Sequence, residues 1–418
     1  MRESLTKDYD AIIVGAGPAG TSACVHLAMR GARVLLLERE RFPRAKLCGE
    51  FISPECLAHF ARLGVLDEME GAGGARVGET IFFARSGRRV GVPSAWFGTE
   101  TTGGRDLSAN GALGLSRAEM DQKLMLRARA VGVEVLEEAQ VIGLLFEDGG
   151  ERRVAGVRVE RHGEGLELRA AITIDATGRA RALARRVEQA AKGNGAREMK
   201  ARAASSPKRM PLVAFKAHLE NAGGAEGACE IYFYRGGYGG LSRVEQGLSN
   251  LCFIVAARDV RARASDAERV MREIVMSNTR AAETLRGARV ASDWLAVALE
   301  SFGRRELVPA EGLLTVGDAA SFIDPFTGSG MLMALESGEL AGACVAGALP
   351  QLRADGSFAQ LATAYRARYR ERFAARLRVC SWLRRAAFAP GLATEAGIVA
   401  LATSERVRRA LARATRPA

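Results

Sequence analysis

What the chain lacks narrows it first. Its seven cysteines, Cys24, Cys48, Cys56, Cys229, Cys252, Cys344 and Cys380, are odd in number and widely scattered. No Cys-x-x-Cys occurs, and Cys56-x-x-His59 has no second pair to complete a site, so a metal centre and a disulfide framework are both disfavoured. There is no run of 18 uncharged apolar residues to span a bilayer. The polar start Met1–Asp8 leads straight into an apolar strand without a signal peptide, which points to a cytoplasmic protein. No internal repeat shows itself. Acidic residues are in deficit, since 60 Lys and Arg against 48 Asp and Glu leave a formal charge of +12. The excess is largely arginine, concentrated between Arg179 and Arg209 and again from Arg366 onward. A nucleic-acid partner is not expected, because neither a recognition motif nor interleaved aromatics accompany the charge. Solvated helix faces account for it, and peripheral contact of the basic C-terminal helices with the inner face of a membrane is the other reading.

What is present suffices for a large core: 418 residues, 48% of them hydrophobic, predict two or three domains. The stretch Asp10 to Glu38 organises the first. The apolar run Ala11–Val14 reads as a buried strand, and Gly15, Gly17 and Gly20 follow it in Gly-x-Gly-x-x-Gly spacing where strand turns into helix. Gly15 permits the tight turn, Gly17 lets the backbone approach a pyrophosphate, and Gly20 lets the helix lie close on the sheet. Pro18 suits the first helical turn, beside Ala19, because its missing N–H would be unbonded there anyway. The remaining amides and the helix dipole stay aimed at a phosphate. Gly31 ends the helix. A second strand, Arg33–Leu37, delivers Glu38 at its carboxyl end, where a carboxylate accepts hydrogen bonds from both hydroxyls of an adenosine ribose. That choice favours an unphosphorylated dinucleotide, FAD or NAD.

The segment Arg39–Glu50 is dense in cations, making Arg39, Arg44 and Lys46 candidate phosphate or flavin contacts, with an ordinary charged loop as the alternative. Cys48 is either reactive beside Arg44 and Lys46 or a buried, inert thiol. Helical spacing runs over Ser53–Leu63, and Thr80–Val92 reads as a hairpin turning at Ser86-Gly87, followed by a Gly/Thr-rich loop, Phe97–Gly104. Ser116-Arg117-Ala118-Glu119 is a capping box, and Arg117 in its first turn makes sense if it reaches a phosphate or ribose. Four strand-like runs from Val133 to Ile174 predict a three-stranded meander that returns to the parallel sheet and ends in Asp175-Ala176-Thr177-Gly178. Arg179–Pro207 reads as a helix fragment and a mobile loop. Strand-like runs between Leu212 and Ala257 predict a second, antiparallel sheet, with Tyr232, Tyr234 and Tyr238 as candidate cleft residues against a reading of plain strand packing. Helices are expected at Ser265–Asn278, from Thr279 to Gly287, at Met331–Leu349, and through Ala362–Arg413 with a break at Pro390-Gly391.

Together, the glycine turn with Glu38, the Arg117 helix, the Asp175-Ala176-Thr177-Gly178 strand end, Gly317-Asp318 and Asp324-Pro325-Phe-Thr-Gly328-Ser329-Gly330 resemble a known group. It is that of the FAD-dependent oxidoreductases typified by geranylgeranyl reductase and para-hydroxybenzoate hydroxylase, and the similarity covers residues 9–350. The resemblance implies an α/β fold: a Rossmann-like FAD-binding domain with an inserted antiparallel β-sheet substrate domain and C-terminal helices. The pieces expected are 1–79, 107–184 and 305–349 for FAD, 80–106 and 208–304 for substrate, and 350–418 for the helices. It also implies that Asp318 binds the ribityl chain and that Gly328, Ser329 and Gly330, flanked by Pro325 and Met331, meet the pyrimidine end of the flavin. Amides at a helix N-terminus would there stabilise the negative charge that reduced flavin gathers. Three departures sharpen the reading. The hydroxylases carry Asp-Gly where this chain reads Ala176-Thr177-Gly178, which affects the contact for NAD(P)H, the expected reductant. Flavin halogenases carry a lysine past the first flavin loop and a Trp-x-Trp-x-Ile-Pro segment, whereas no lysine occurs between Leu47 and Gln122 and the segment is absent. Lys46-Leu47-Cys48-Gly49-Glu50 is similar to the Cys-Gly turn of the geranylgeranyl reductases. The expected activity is hydride or electron transfer between FAD and a hydrophobic isoprenoid, lipid or polyketide-like molecule. The alternatives are a flavin monooxygenase, a halogenase, and a flavoprotein that only relays electrons.

Overall fold

The computed structural model describes residues 8–97, 101–102, 105–106, 111–147, 153–193, 211–299, 302–354, 357–388 and 391–416. Most of the loop expected at Phe97–Gly104, and the loop expected to follow the helix after Arg179, fall outside them.

Two sheets carry the architecture. The first runs in the order Glu134–Leu136, Val34–Leu37, Asp8–Val14, Glu164–Asp175, Val154–Arg161 and Gln140–Phe146, with Leu313–Thr315 added beside Glu164–Asp175. Its left half and the added strand are parallel, and the meander on its right is antiparallel. Val34–Leu37 is buried at every position, as expected of a strand covered on both faces. Register places Val14 opposite both Leu37 and Asp175, and Asp175 opposite Thr315. Four parallel strands therefore end at one level, and the residue after each is released at the same edge, where α/β sheets bind ligands.

The first helix, Pro18–Ala28, is buried over ten of its residues between this sheet and the long helix Gly330–Ala354. Small residues make that contact possible. A Cβ on Gly338 would lie 2.2 Å from the Ala19 carbonyl oxygen, and one on Gly342 3.0 Å from the His26 Cβ. Ser22 Oγ closes the seam by donating to the Leu335 carbonyl at 2.8 Å. This long helix is the one described element apolar and long enough to cross a membrane, yet 67% of its apolar window is buried inside the fold and Glu336 and Glu339 interrupt it. It runs past the expected end at Leu349, through Pro350, to Ala354.

The second sheet runs Arg289–Val290, Leu212–Glu220, Ser249–Ala256, Gly237–Arg243, Ala228–Tyr234, Glu79–Phe83 and Arg89–Pro93. It is not wholly antiparallel: Ala228–Tyr234 lies parallel to Glu79–Phe83. The expected antiparallel sense holds where tight turns join neighbours, but these two strands are separated by the whole return through the first sheet, so no turn fixes their direction. Leu295–Leu299, missed as a strand, pairs with Leu212–Glu220. The C-terminal helices are Ala359–Ala387, Gly391–Thr403 and Glu405–Ala414. Besides the expected break near Pro390 there is a second at Ser404, whose hydroxyl accepts from the Val407 amide and caps the last helix.

Candidate active site

A cavity of about 1450 Å3 lies between the carboxyl edge of the first sheet and one face of the second. Its nucleotide end is built mainly by backbone. Gly15 sits at φ +106°, and a Cβ there would approach the Ala176 carbonyl oxygen to 2.5 Å. A Cβ on Gly20 would fall 1.9 Å from the Gly15 carbonyl oxygen, so Gly20 packs the helix against the turn and does not line the cavity. Gly17 differs from both. Its backbone is extended, and the nearest atom to a built Cβ is Arg117 Nη2 at 3.8 Å. The space in front of it opens into the cavity, and no side chain caps the helix that begins at Pro18. That helix terminus, with Pro18 and Ala19 on the wall, leaves amide donors for an anion.

Glu38 is almost wholly buried. One carboxylate oxygen accepts from the Ala16 amide at 3.0 Å, and the other from the amides of Arg39 and Glu40 at 3.0 and 3.2 Å. Burial alone would raise its pKa, but the Arg44 guanidinium and these amides hold it below the ordinary value, so it is an anion at neutral pH. Arg44 and Arg117 are less available than the sequence suggests. Arg44 bridges Glu38 and Asp121 at 3.2 and 3.0 Å, and Arg117 grips Asp121 one turn away with two bonds of 2.9 and 2.7 Å. Arg117 therefore serves its own helix and remains only beside the expected phosphate position. Lys46 has no hydrogen-bond or ion-pair partner among the described residues. Burial in the cleft, then Arg44 and Arg117, push its pKa down.

In the middle of the cavity Gly317, at φ +58°, turns the chain after Leu313–Thr315, and its amide donates to Ser337 Oγ at 2.8 Å. The turn presents Asp318, a carboxylate on the cavity wall with no hydrogen-bond partner among the described residues. Burial raises its pKa, opposed by Arg179, Arg117 and Lys46. Ala176, Thr177 and Gly178 line the wall opposite. Asp175 is spent on structure, accepting from Thr177 and from the Leu183 and Ala184 amides.

At the far end Pro325, Gly328, Gly330 and Met331 line the cavity. Ser329 does not: its hydroxyl turns inward and donates to the carbonyls of Thr327 and Thr415, both at 3.2 Å. Cys48 and Gly49 are on the wall, the turn being pinned from behind. Buried Glu50 accepts from Lys216 Nζ and His218 Nε2, each at 2.6 Å, and from the Arg117 amide at 2.9 Å. No local signal could have marked Glu50, because two of its partners stand on a strand of the other sheet.

Only one of the three candidate tyrosines faces the cavity. Tyr238 lines it, with its hydroxyl donating to Asp324, which Arg384 also holds at 3.0 Å. Tyr232 and Tyr234 point to the opposite side of the sheet, where their hydroxyls are bonded to Glu230 and to the Ile254 carbonyl. The two-residue alternation of a strand decides this: Ile231 and Phe233, on either side of Tyr232, are the cavity residues. With Phe82, Ile254, Leu299 and Phe326 they form an apolar end that the sequence did not reveal. The helix Gly391–Thr403 roofs it through Ala393, Gly397, Ile398 and Leu401.

Three features fit a flavin dinucleotide: the turn at Gly17 that has room only on its cavity side, the anionic Glu38 beside it, and the unpartnered Asp318 a strand away. Comparison with known proteins agrees. The digeranylgeranylglycerophospholipid reductase 2 of Methanopyrus kandleri is 27% identical over 374 residues, 88% of this chain and 83% of the relative. A geranylgeranyl bacteriochlorophyll reductase-like structure from Thermoplasma acidophilum superposes with a TM-score of 0.73 at 20% identity, over 98% of this chain and 96% of that one. The flavin-dependent brominase Bmp2 has the same fold, with a TM-score of 0.74 at 18% identity over 98% and 93%. Residues 8–346, from the first strand into the long helix, match the FAD binding domain family. The chain belongs to that family and is an FAD-dependent oxidoreductase.

Proposed function

We propose that the protein saturates carbon–carbon double bonds, or forms them in reverse, in an apolar isoprenoid or lipid-like substrate, with NAD(P)H as the source of electrons. The observation that carries this reading is the apolar end of the cavity. At about 1450 Å3 the whole space exceeds the roughly 300–1,000 Å3 of an ordinary ligand site. It has room for a second, greasy ligand beyond the dinucleotide, and the named activity of the Methanopyrus kandleri relative supports such a substrate.

Bound FAD supplies the hydride chemistry. The chain's own residues bind and orient. Glu38 would hold the ribose hydroxyls, the helix terminus at Gly17 to Ala19 would take the pyrophosphate, Asp318 would accept from the ribityl hydroxyls, and the amides around Gly328 and Gly330 would hold the pyrimidine edge. Phe82, Phe233, Phe326 and Ile398 exclude water from the substrate end. Of the candidates with an exchangeable proton on the cavity wall, Tyr238 has committed its hydroxyl to Asp324. Cys48 and Lys46, both on that wall, are the groups that would be able to give a proton to a substrate carbon.

The test is anaerobic. Holoprotein reduced in the absence of oxygen is mixed with a geranylgeranyl-chain phospholipid, and flavin absorbance and product mass are followed. The expected result is flavin reoxidation without oxygen and product that has gained two hydrogens per double bond. Reoxidation that needs oxygen and yields a hydroxylated product would instead establish a monooxygenase.

A further inference from the structure

The C-terminal helices have the cavity on one side and solvent on the other, and their outer side is unlike the surface of an ordinary globular protein. Gly391–Thr403 carries one charge, Glu395, and that carboxylate is engaged at the surface by the hairpin turn, accepting from the Ser86 amide at 2.9 Å and from Ser86 Oγ at 2.7 Å. What remains outward is uncharged, with Leu392 88% and Val399 41% exposed. A helix that is apolar around its whole circumference is normally buried, and this one is too short to cross a bilayer.

Its neighbours supply the complement. Glu405–Ala414 presents Arg406, Arg409 and Arg413 together with exposed Val407, a basic amphipathic helix whose Leu411 lines the cavity. On Ala359–Ala387, Trp382 is 74% exposed between Arg378 and Arg385, four residues before it and three after, hence on one face. From Arg366 to Arg416 the chain has thirteen arginines against three glutamates and no aspartate; Arg376 and Arg416 are buried and Arg384 is held by Asp324, while most of the others are exposed. Solvated helix faces would explain the arginines; they do not explain exposed Trp382, Leu392 and Val399 set among them.

We propose that this face docks on an anionic lipid bilayer, with Gly391–Thr403 lying in the headgroup plane, Trp382 anchoring beside it and the arginines meeting lipid phosphates. The inner side of the same helix, through Gly397, Ile398 and Leu401, is the roof of the apolar end of the cavity. One helix thus separates bilayer from substrate space, which is the arrangement that lets a membrane lipid enter without crossing water. The docking stands whatever the cleft reduces.

Full-length holoprotein is floated with phosphatidylcholine vesicles and with vesicles that also contain phosphatidylglycerol, at low and high salt. Binding is expected to the anionic vesicles alone and to weaken with salt. Leu392→Glu with Val399→Glu, positions outside the cavity wall, should abolish binding while FAD content and thermal stability stay at wild-type values. Arg406→Glu with Arg413→Glu should weaken it without touching the apolar anchor. Absence of binding to either vesicle, or undiminished binding by the Leu392/Val399 variant, would overturn the proposal. So would a wild-type dimer that this variant converts to monomers without any vesicle binding, since the face would then belong to a second copy of the chain.

Discussion

The two ends of the cavity are made in different ways. At the nucleotide end the shape comes largely from backbone: Gly15 and Gly20 leave no space for a Cβ, Gly17 leaves space only where a ligand goes, and three amides fix Glu38. At the apolar end the shape comes from side chains contributed by strands of the second sheet and by helices more than a hundred residues further along. A backbone-made site tolerates no variation and recognises a constant ligand. A side-chain-made site can change its ligand by substitution alone.

The sharpest way to break this contrast is at the glycines, because the structure separates their duties. Gly20→Val should remove the folded protein, since the new side chain meets the Gly15 carbonyl and backbone cannot swing aside. Overpacking costs about 1–3 kcal/mol and occasionally more, and this site lies at the upper end. Soluble yield and thermal melting report it. Gly17→Val, on extended backbone with open space in front, should fold and melt like wild-type apoprotein yet purify without flavin. A colourless but folded Gly20→Val, or a yellow Gly17→Val, would reverse the assignments.

Next in size is Asp318→Ala. Loss of a charge-assisted hydrogen bond costs about 1.5–3 kcal/mol, or roughly tenfold to a hundredfold in FAD affinity, with folding unaffected. Asp318→Asn, which can still accept from a hydroxyl, should recover part of it. An affinity equal to wild type in both would remove Asp318 from the cofactor site.

At the apolar end Gly397→Phe should leave FAD affinity unchanged and raise KM for a long-chain substrate, because it fills the space under the roof without reaching the nucleotide end. Parallel losses in FAD affinity and KM would mean that the two ends are not separable.

The last prediction concerns the frame. Burial alone would raise the Glu339 carboxyl, but the His59 ring at 3.0 Å and Arg62 at 3.4 Å hold it down, to about 2 from the usual 4.5. Its contribution to stability is therefore complete above pH 4.5 and is lost as pH falls toward 2. Glu339→Gln should be less stable than wild type at pH 6, with the gap closing across that interval in urea titrations.

These outcomes also explain what could be read from the chain. The nucleotide end was legible because glycine at φ +106° and a carboxylate at a strand end have few substitutes, and because strand, turn and helix lie within thirty residues. The capping box at Ser116 was legible for the same local reason, the Ser116 hydroxyl accepting from the Glu119 amide as expected. For Tyr232 and Tyr234 the alternative of plain strand packing is the one found, and the sequence could not choose a face because that depends on register with distant partners. The direction of the Ser329 hydroxyl could not be read locally, because it answers to Thr415, eighty-six residues away. Glu50 and the Ile398 roof were invisible, being contacts between segments that only the fold brings together.

The central claim is that one cavity holds a flavin and an apolar ligand at the same time, at ends made by different means. The most direct measurement is a titration of oxidised holoprotein with a geranylgeranyl phospholipid in detergent, following flavin absorbance and free FAD after filtration. A saturable change in the flavin spectrum with no release of FAD is the predicted result, and the change should be absent in Gly397→Phe. Release of FAD in proportion to added lipid, or a spectrum that never changes, would contradict it.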